Sequence, residues 1–176
     1  MDQQLLDQLK TEYHALLEQG RLSDALPLIR QAAHWADEES QILAERIYLH
    51  DAYGHLRQDL AGYEYAMLAA MNGDVTSMYD LAFLYRDGKG TVHDAAKAFY
   101  WLTKAANAGD ARAMDELGLC YLQARGVARD LDQAVSLFEK AREAGGQDAD
   151  LLQSANRHLF MAQKMIEKEK NKKAED

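Results

Sequence analysis

Two stretches of this chain repeat one another in register. Residues 78–110, MYDLAFLYRDGKGTVHDAAKAFYWLTKAANAGD, lie on residues 114–146, MDELGLCYLQARGVARDLDQAVSLFEKAREAGG, after a shift of 36 residues. Leu81 falls on Leu117, Tyr85 on Tyr121, Gly90 on Gly126, Asp94 on Asp130 and Ala98 on Ala134. Lys104, Ala105 and Gly109 fall on Lys140, Ala141 and Gly145. A period of this length restricts the fold severely. Each copy is one supersecondary unit that cannot bury its apolar face alone, so copies must stack.

Inside each copy the apolar spacing is helical. Met78, Leu81, Ala82, Leu84 and Tyr85 share one helix face. RDGKGTVHD then breaks the helix, because Gly88 and Gly90 supply permissive backbone. Asp94 can cap the returning helix, whose stripe is Ala98, Trp101, Leu102, Ala105 and Ala106, and Gly109 sits where a helix end favours positive φ. Ala82 is expected opposite Ala98, and Gly118 opposite Ala134; small side chains there allow close helix approach. The expected fold class is all-α, an α-α superhelix of stacked antiparallel hairpins.

These residues resemble the Sel1-like repeat family, a relative of the tetratricopeptide repeats. The first copy resembles it through Leu81, Tyr85, Gly88, Gly90, Asp94, Lys97, Ala98, Trp101, Lys104, Ala105, Ala106 and Gly109, departing at Ala82 and Thr91. The second does so through Leu117, Gly118, Tyr121, Gly126, Val127, Asp130, Ala134, Lys140, Ala141 and Gly145, departing at Gln133 and Leu137. The resemblance implies a protein-interaction adaptor without catalytic activity, in a bacterial signalling, envelope or secretion setting or as an inhibitor of effectors.

The same punctuation extends upstream. YHALLEQGRLSDALPLIRQAA looks like a tetratricopeptide hairpin, with Ser23 or Asp24 as cap and Pro27 in the first turn of its second helix. Ser40 is expected to cap the next hairpin. Gly20, Gly54, Gly90 and Gly126 are 34, 36 and 36 residues apart. The expected layout is a single array over residues 1–176: hairpins at 3–37, 40–73, 74–109 and 110–146, a capping helix at 148–168 and a charged, fraying tail at 169–176.

Net charge is −9, which argues against nucleic acid and anionic membrane as partners. Cys120 is the only cysteine, so no internal disulfide forms, and its place beside Tyr121 reads as buried filler. The start, MDQQLLDQLK, has no basic segment followed by an apolar run, and no stretch nears 18 apolar residues. A cytoplasmic protein is expected.

No catalytic, cofactor or metal constellation is legible. Six histidines include no i, i+4 pair, and His50 and His55 diverge around a helix end. Asp87–Gly90, DGKG, resembles part of a phosphate loop but follows no strand, so it reads as a hairpin turn. A partner face is the remaining prospect. First helices of stacked hairpins line a concave face, which binds peptides in related repeat proteins. Carried over, that face would present His14, Leu17, Tyr48, Asp51, Tyr79, Phe83, Arg86, Asp115, Leu119 and Leu122 to a protein or peptide with an acidic or apolar anchor. Phe83, Leu119 and Leu122 are equally accounted for if a narrow superhelix buries them. The alternative function is a homodimer built on the apolar stripe of Leu151–Ile166.

Overall fold

Aspartates start most of the helices. The computed structural model describes residues 3–50 and 59–175, which form nine helices and no strand. They are α1 (Gln3–Glu18), α2 (Leu22–His34), α3 (Glu38–His50), α4 (Asp59–Met71), α5 (Val75–Asp87), α6 (Ala95–Asn107), α7 (Ala111–Gln123), α8 (Leu131–Ala144) and α9 (Ala149–Glu175). Asp37, Asp74, Asp110 and Asp148 precede α3, α5, α7 and α9. Each carboxylate accepts from the backbone N–H three residues on, at 2.9, 2.6, 3.0 and 3.0 Å. Asp94 and Asp130 do the same for α6 and α8, at 3.0 and 2.9 Å. Each cap satisfies an otherwise orphaned donor and contributes about 1 kcal/mol.

The chain divides into two compact units, residues 1–92 and 93–176, with the boundary in the turn between α5 and α6. In unit 1, α1 to α5 pack sequentially, each on the next. Tyr13, Ala25, Ile29, Ala32 and Ile47 anchor its core, and Tyr48 stacks face to face on Tyr65 with ring centroids 5.7 Å apart. In unit 2, Phe138 is fully buried at the centre of a cluster with Leu122, Leu131, Leu159 and Ala162. Gly118 lies under the Phe138 ring, so the small residue on α7 makes room for an aromatic on α8.

Three local expectations are corrected. Ser40 does not cap α3: Asp37 does, and Ser40 sits inside the first turn, fully buried. Neither Ser23 nor Asp24 caps α2, which starts at Leu22 after Arg21 with no side-chain cap. Pro27 therefore lies in the second turn, where its missing N–H deletes one helix hydrogen bond. The last helix does not end at residue 168: α9 continues to Glu175. Lys and Glu are good helix formers, nothing breaks the run, and Arg129 on the turn before α8 reaches Glu169 at 2.7 Å.

The apolar stripe of α9 also has a different use from pairing with a second copy. Leu151, Ala155, Leu159 and Ala162 are buried, and α9 packs on α8 and α7 of its own chain. What it leaves outward is Phe160, 61% exposed, and Met161, 44% exposed.

The two repeat copies differ at the turn after their first helix. Gly88 has φ 66°, and its counterpart Ala124 has φ 57°. A left-handed conformation costs an L residue roughly 1–2 kcal/mol, part of which the greater freedom of an unfolded glycine offsets. Ala124→Gly is therefore expected to stabilise unit 2 by about 0.5–1 kcal/mol. Urea denaturation checks this, and a loss of stability would refute the strain.

Candidate protein-binding face

Burial fixes the register between successive first helices. Asp37 and Asp74 are 37 residues apart, and shifting α3 by that amount puts Ser40 on Ser77, Ala44 on Leu81, Ile47 on Leu84 and Tyr48 on Tyr85, all buried. Tyr48 is thus the counterpart of the repeat's core aromatic. Its expected place on a binding face is corrected: Tyr48 is buried and stacks on Tyr65 of α4.

The same register identifies what α3 does present. Ile42 and Arg46 correspond to Tyr79 and Phe83 on α5. With His14, Glu38, Glu39 and Leu43 they line a groove of about 440 Å³ between α1 and α3. Ile42 and Leu43 are half-buried, whereas His14, Glu38, Glu39 and Arg46 are exposed. His14 Nε2 lies 3.2 Å from Glu39. Lys10 bridges Glu39 at 2.5 Å and Asp37 at 3.1 Å. The hydrogen bond to Glu39 holds the Lys10 ammonium above its ordinary range, and the Lys10 contact holds the Glu39 carboxyl below its own. Burial alone would raise the Asp37 carboxyl, but hydrogen bonds from Ser40 and Lys10 outweigh it and leave it lowered. The first rim of the groove is therefore a fixed ion network.

On α5, the Tyr79 and Phe83 rings meet at 4.6 Å between centroids, tilted by 46°, and the Arg86 guanidinium lies 4.0 Å over the Phe83 ring. Arg86 also pairs with Asp87 at 2.8 Å, so its charge already has a carboxylate and a π face. All three side chains are half-buried.

The remaining expected residues divide by what covers them. Leu17 packs against the core of unit 1 and Leu119 against that of unit 2. Leu122 is 3% exposed and belongs to the core. Asp115 is 4% exposed, because Ser154 Oγ donates to it at 2.6 Å and His158 Nδ1 meets it at 2.9 Å. Leu122 and Asp115 are corrected as surface residues for one reason: α9 lies against α7 and α8. Asp51 lies outside the described residues, as do His55 and the side chain of His50. Among the described residues no three His, Cys, Asp or Glu side chains gather as a metal site.

Asp115, Ser154 and His158 are spaced as a clamp, since Ser154 and His158 are one helical turn apart on α9 and grip one carboxylate. The serine and histidine bond to the aspartate rather than to each other. Asp115→Ala is expected to cost about 1–3 kcal/mol, by orphaning two part-buried partners. Amide exchange in α9 should accelerate while exchange in α2 stays unchanged; unaltered α9 protection would dismiss the clamp.

Reading by apolar period alone missed a row of buried polar groups in unit 1. Tyr13 Oη and Ser40 Oγ are 3.2 Å apart. Gln41 donates to the Ala33 carbonyl at 3.0 Å and accepts from Asn72 at 2.7 Å. Ser77 Oγ donates to Glu45. The alignment of Glu45 with Ala82 and Gly118 carried the signal, since a carboxylate at a small-residue position is a conflict that only tertiary contact resolves.

Comparison with known proteins agrees with this architecture. The Sel1 repeat model matches residues 75–110 and 111–146. A Sel1 repeat protein from Oxalobacter formigenes is similar in structure, with TM-score 0.65 at 19% identity, over 77% of this chain and 56% of that one. So is c5321, a protective antigen of uropathogenic Escherichia coli displaying an SLR fold, with TM-score 0.61 at 22% identity, over 85% of this chain and 39% of that one. Helicobacter pylori cysteine rich protein B matches with TM-score 0.54 at 24% identity, over 69% of this chain and 91% of that one. No curated protein sequence matches the chain significantly. This chain spans just over half of the Oxalobacter protein and about two fifths of the Escherichia coli antigen. It carries two Sel1 repeats, in a helical-repeat solenoid fold. Sel1-repeat proteins are generally protein–protein interaction modules.

Proposed function

We propose that this chain, with its two Sel1 repeats, is a non-enzymatic adaptor that binds a protein or peptide partner in a bacterial cytoplasm. The binding surface is the first-helix face of unit 1: the α1–α3 groove over Ile42 and Leu43, together with Tyr79 and Phe83 on α5. One observation carries this reading. Ile42 on α3 and Tyr79 on α5 occupy one register position, and Phe83 lies against Tyr79; all three are half-buried. Aromatic side chains held in such a state concentrate binding energy. The adaptor's setting, whether signalling, secretion or inhibition of an effector, follows the partner.

The test is affinity purification from the source cell with the full chain and with a Tyr79→Ala, Phe83→Ala double variant, whose helical content is checked by circular dichroism. A partner retained by the first and lost by the folded variant is expected, with cross-links falling on α1, α3 and α5. A partner retained equally by both, or cross-links confined to α6–α9, would overturn the assignment. Exposed Phe160 and Met161 favour a second reading, self-association through the outer side of α9. Light scattering that returns a monomer at high concentration would remove it.

A further inference from the structure

The negative charge of the chain is concentrated in one unit. Residues 1–92 hold seven Lys and Arg against fifteen Asp and Glu, net −8, while residues 93–176 hold thirteen against fourteen, net −1. The groove described above lies in the acidic unit. Its volume, about 440 Å³, is at the small end of the range that seats compact ligands, which suits one or two side chains of a docked segment.

The groove is also divided by chemistry. Ile42 and Leu43 supply apolar lining, Leu43 while also packing against the core of unit 1. Glu38 and Glu39 are exposed beside them, and of these Glu39 is held by Lys10 and His14. Among the described residues, Lys10 pairs with Glu39 and Asp37 and His14 with Glu39, and Arg46 is the arginine of the lining outside that network. A ligand approaching unit 1 meets a net charge of −8, and the groove lining itself sets Glu38 and Glu39 against Arg46 beside Ile42 and Leu43. Summed charge of this kind steers association and selects the sign of the partner. Phosphate-bearing ligands are disfavoured by the same sign.

Resting on the reading of this face as a protein-binding surface, we propose that its partner is a basic protein segment carrying an aliphatic or aromatic anchor. The anchor seats on Ile42 and Leu43, and flanking Lys or Arg side chains lie along Glu38 and Glu39. Arg46 opposes this partner and moderates its affinity.

Two charge changes on one groove test this in opposite directions. The full chain is titrated against a fluorescein-labelled peptide of Lys and Leu and against its Glu and Leu counterpart, with anisotropy as the readout. The basic peptide is expected to bind and to weaken as salt rises; the acidic one is not. Glu38→Lys should weaken the basic peptide, and Arg46→Glu should tighten it, by roughly three- to tenfold each. Lys164→Glu, on α9, should change nothing. Preference for the acidic peptide, or a shift in the same direction for both groove variants, overturns the proposal. So does light scattering in which a self-associated chain is dissociated by the peptide, since the natural occupant would then be a second copy. If the basic peptide fails while a cellular partner still cross-links to α1, α3 and α5, the partner's chemistry is wrong and the protein-binding reading stands. If both fail, both readings fall.

Discussion

Raising the pH from 4.5 to about 8 is expected to destabilise unit 1, and Glu45→Gln is expected to abolish that loss. Glu45 is 2% exposed, and its Oε1 has no hydrogen-bond partner. Burial is the largest cause pushing its carboxyl up, to about 8; Asp80 and Asp74 push the same way, and the hydrogen bond from Ser77 opposes them. Between the ordinary carboxyl value of 4.5 and about 8, the folded chain keeps a proton that the unfolded chain has released. Stability contributed by this group is thus complete at low pH and falls as pH rises, by about 1.4 kcal/mol per unit within the window. The accumulated difference is on the order of 4 kcal/mol at the upper end. Glutamine keeps the shape and has nothing to ionise. The measurement is amide exchange in α3 and α5 across the pH window, for both chains, corrected for the intrinsic pH dependence of exchange. A widening gap in favour of the variant is expected, and parallel profiles would mean that Glu45 ionises without cost.

Gly126→Ala is expected to destabilise unit 2 by about 3 kcal/mol, from two causes that add. The backbone there has φ 72°, and a Cβ would lie 2.1 Å from the Ala95 carbonyl oxygen. That oxygen belongs to the first turn of α6, which cannot withdraw as the tip of a flexible side chain could. Gly109→Ala isolates the first cause: its φ is 97°, yet a Cβ there meets nothing within 4 Å. It should cost only about 1 kcal/mol. Urea denaturation of the two variants separates them. Equal losses would show that the turn after α7 moves away from α6 freely.

These tests divide what could be read in advance from what could not. The aspartate caps at Asp94 and Asp130, the break at Gly88 and the cap-and-turn rhythm were legible because each is settled within a few residues. The placement of Ser40 was not, because Asp37 starts the helix three residues earlier by accepting from the Ser40 N–H, and the Ser40 hydroxyl is taken by Asp37 and by Tyr13, 27 residues away. Tyr48 was misplaced because its burial rests on Tyr65, a stacking partner 17 residues away on the next helix that the pattern along α3 does not show.

The order of letters alone determined that this chain forms stacked helical hairpins, since a duplicated pattern of caps, breaks and apolar faces admits little else. Only the tertiary structure decided which polar and apolar faces remain open. Asp115 and Leu122 occupy first-helix positions like those of Tyr79 and Arg86, yet α9 lies against α7 and α8 and takes them inside. Local geometry is written in neighbours along the chain, while exposure depends on which distant helix arrives to exclude the water.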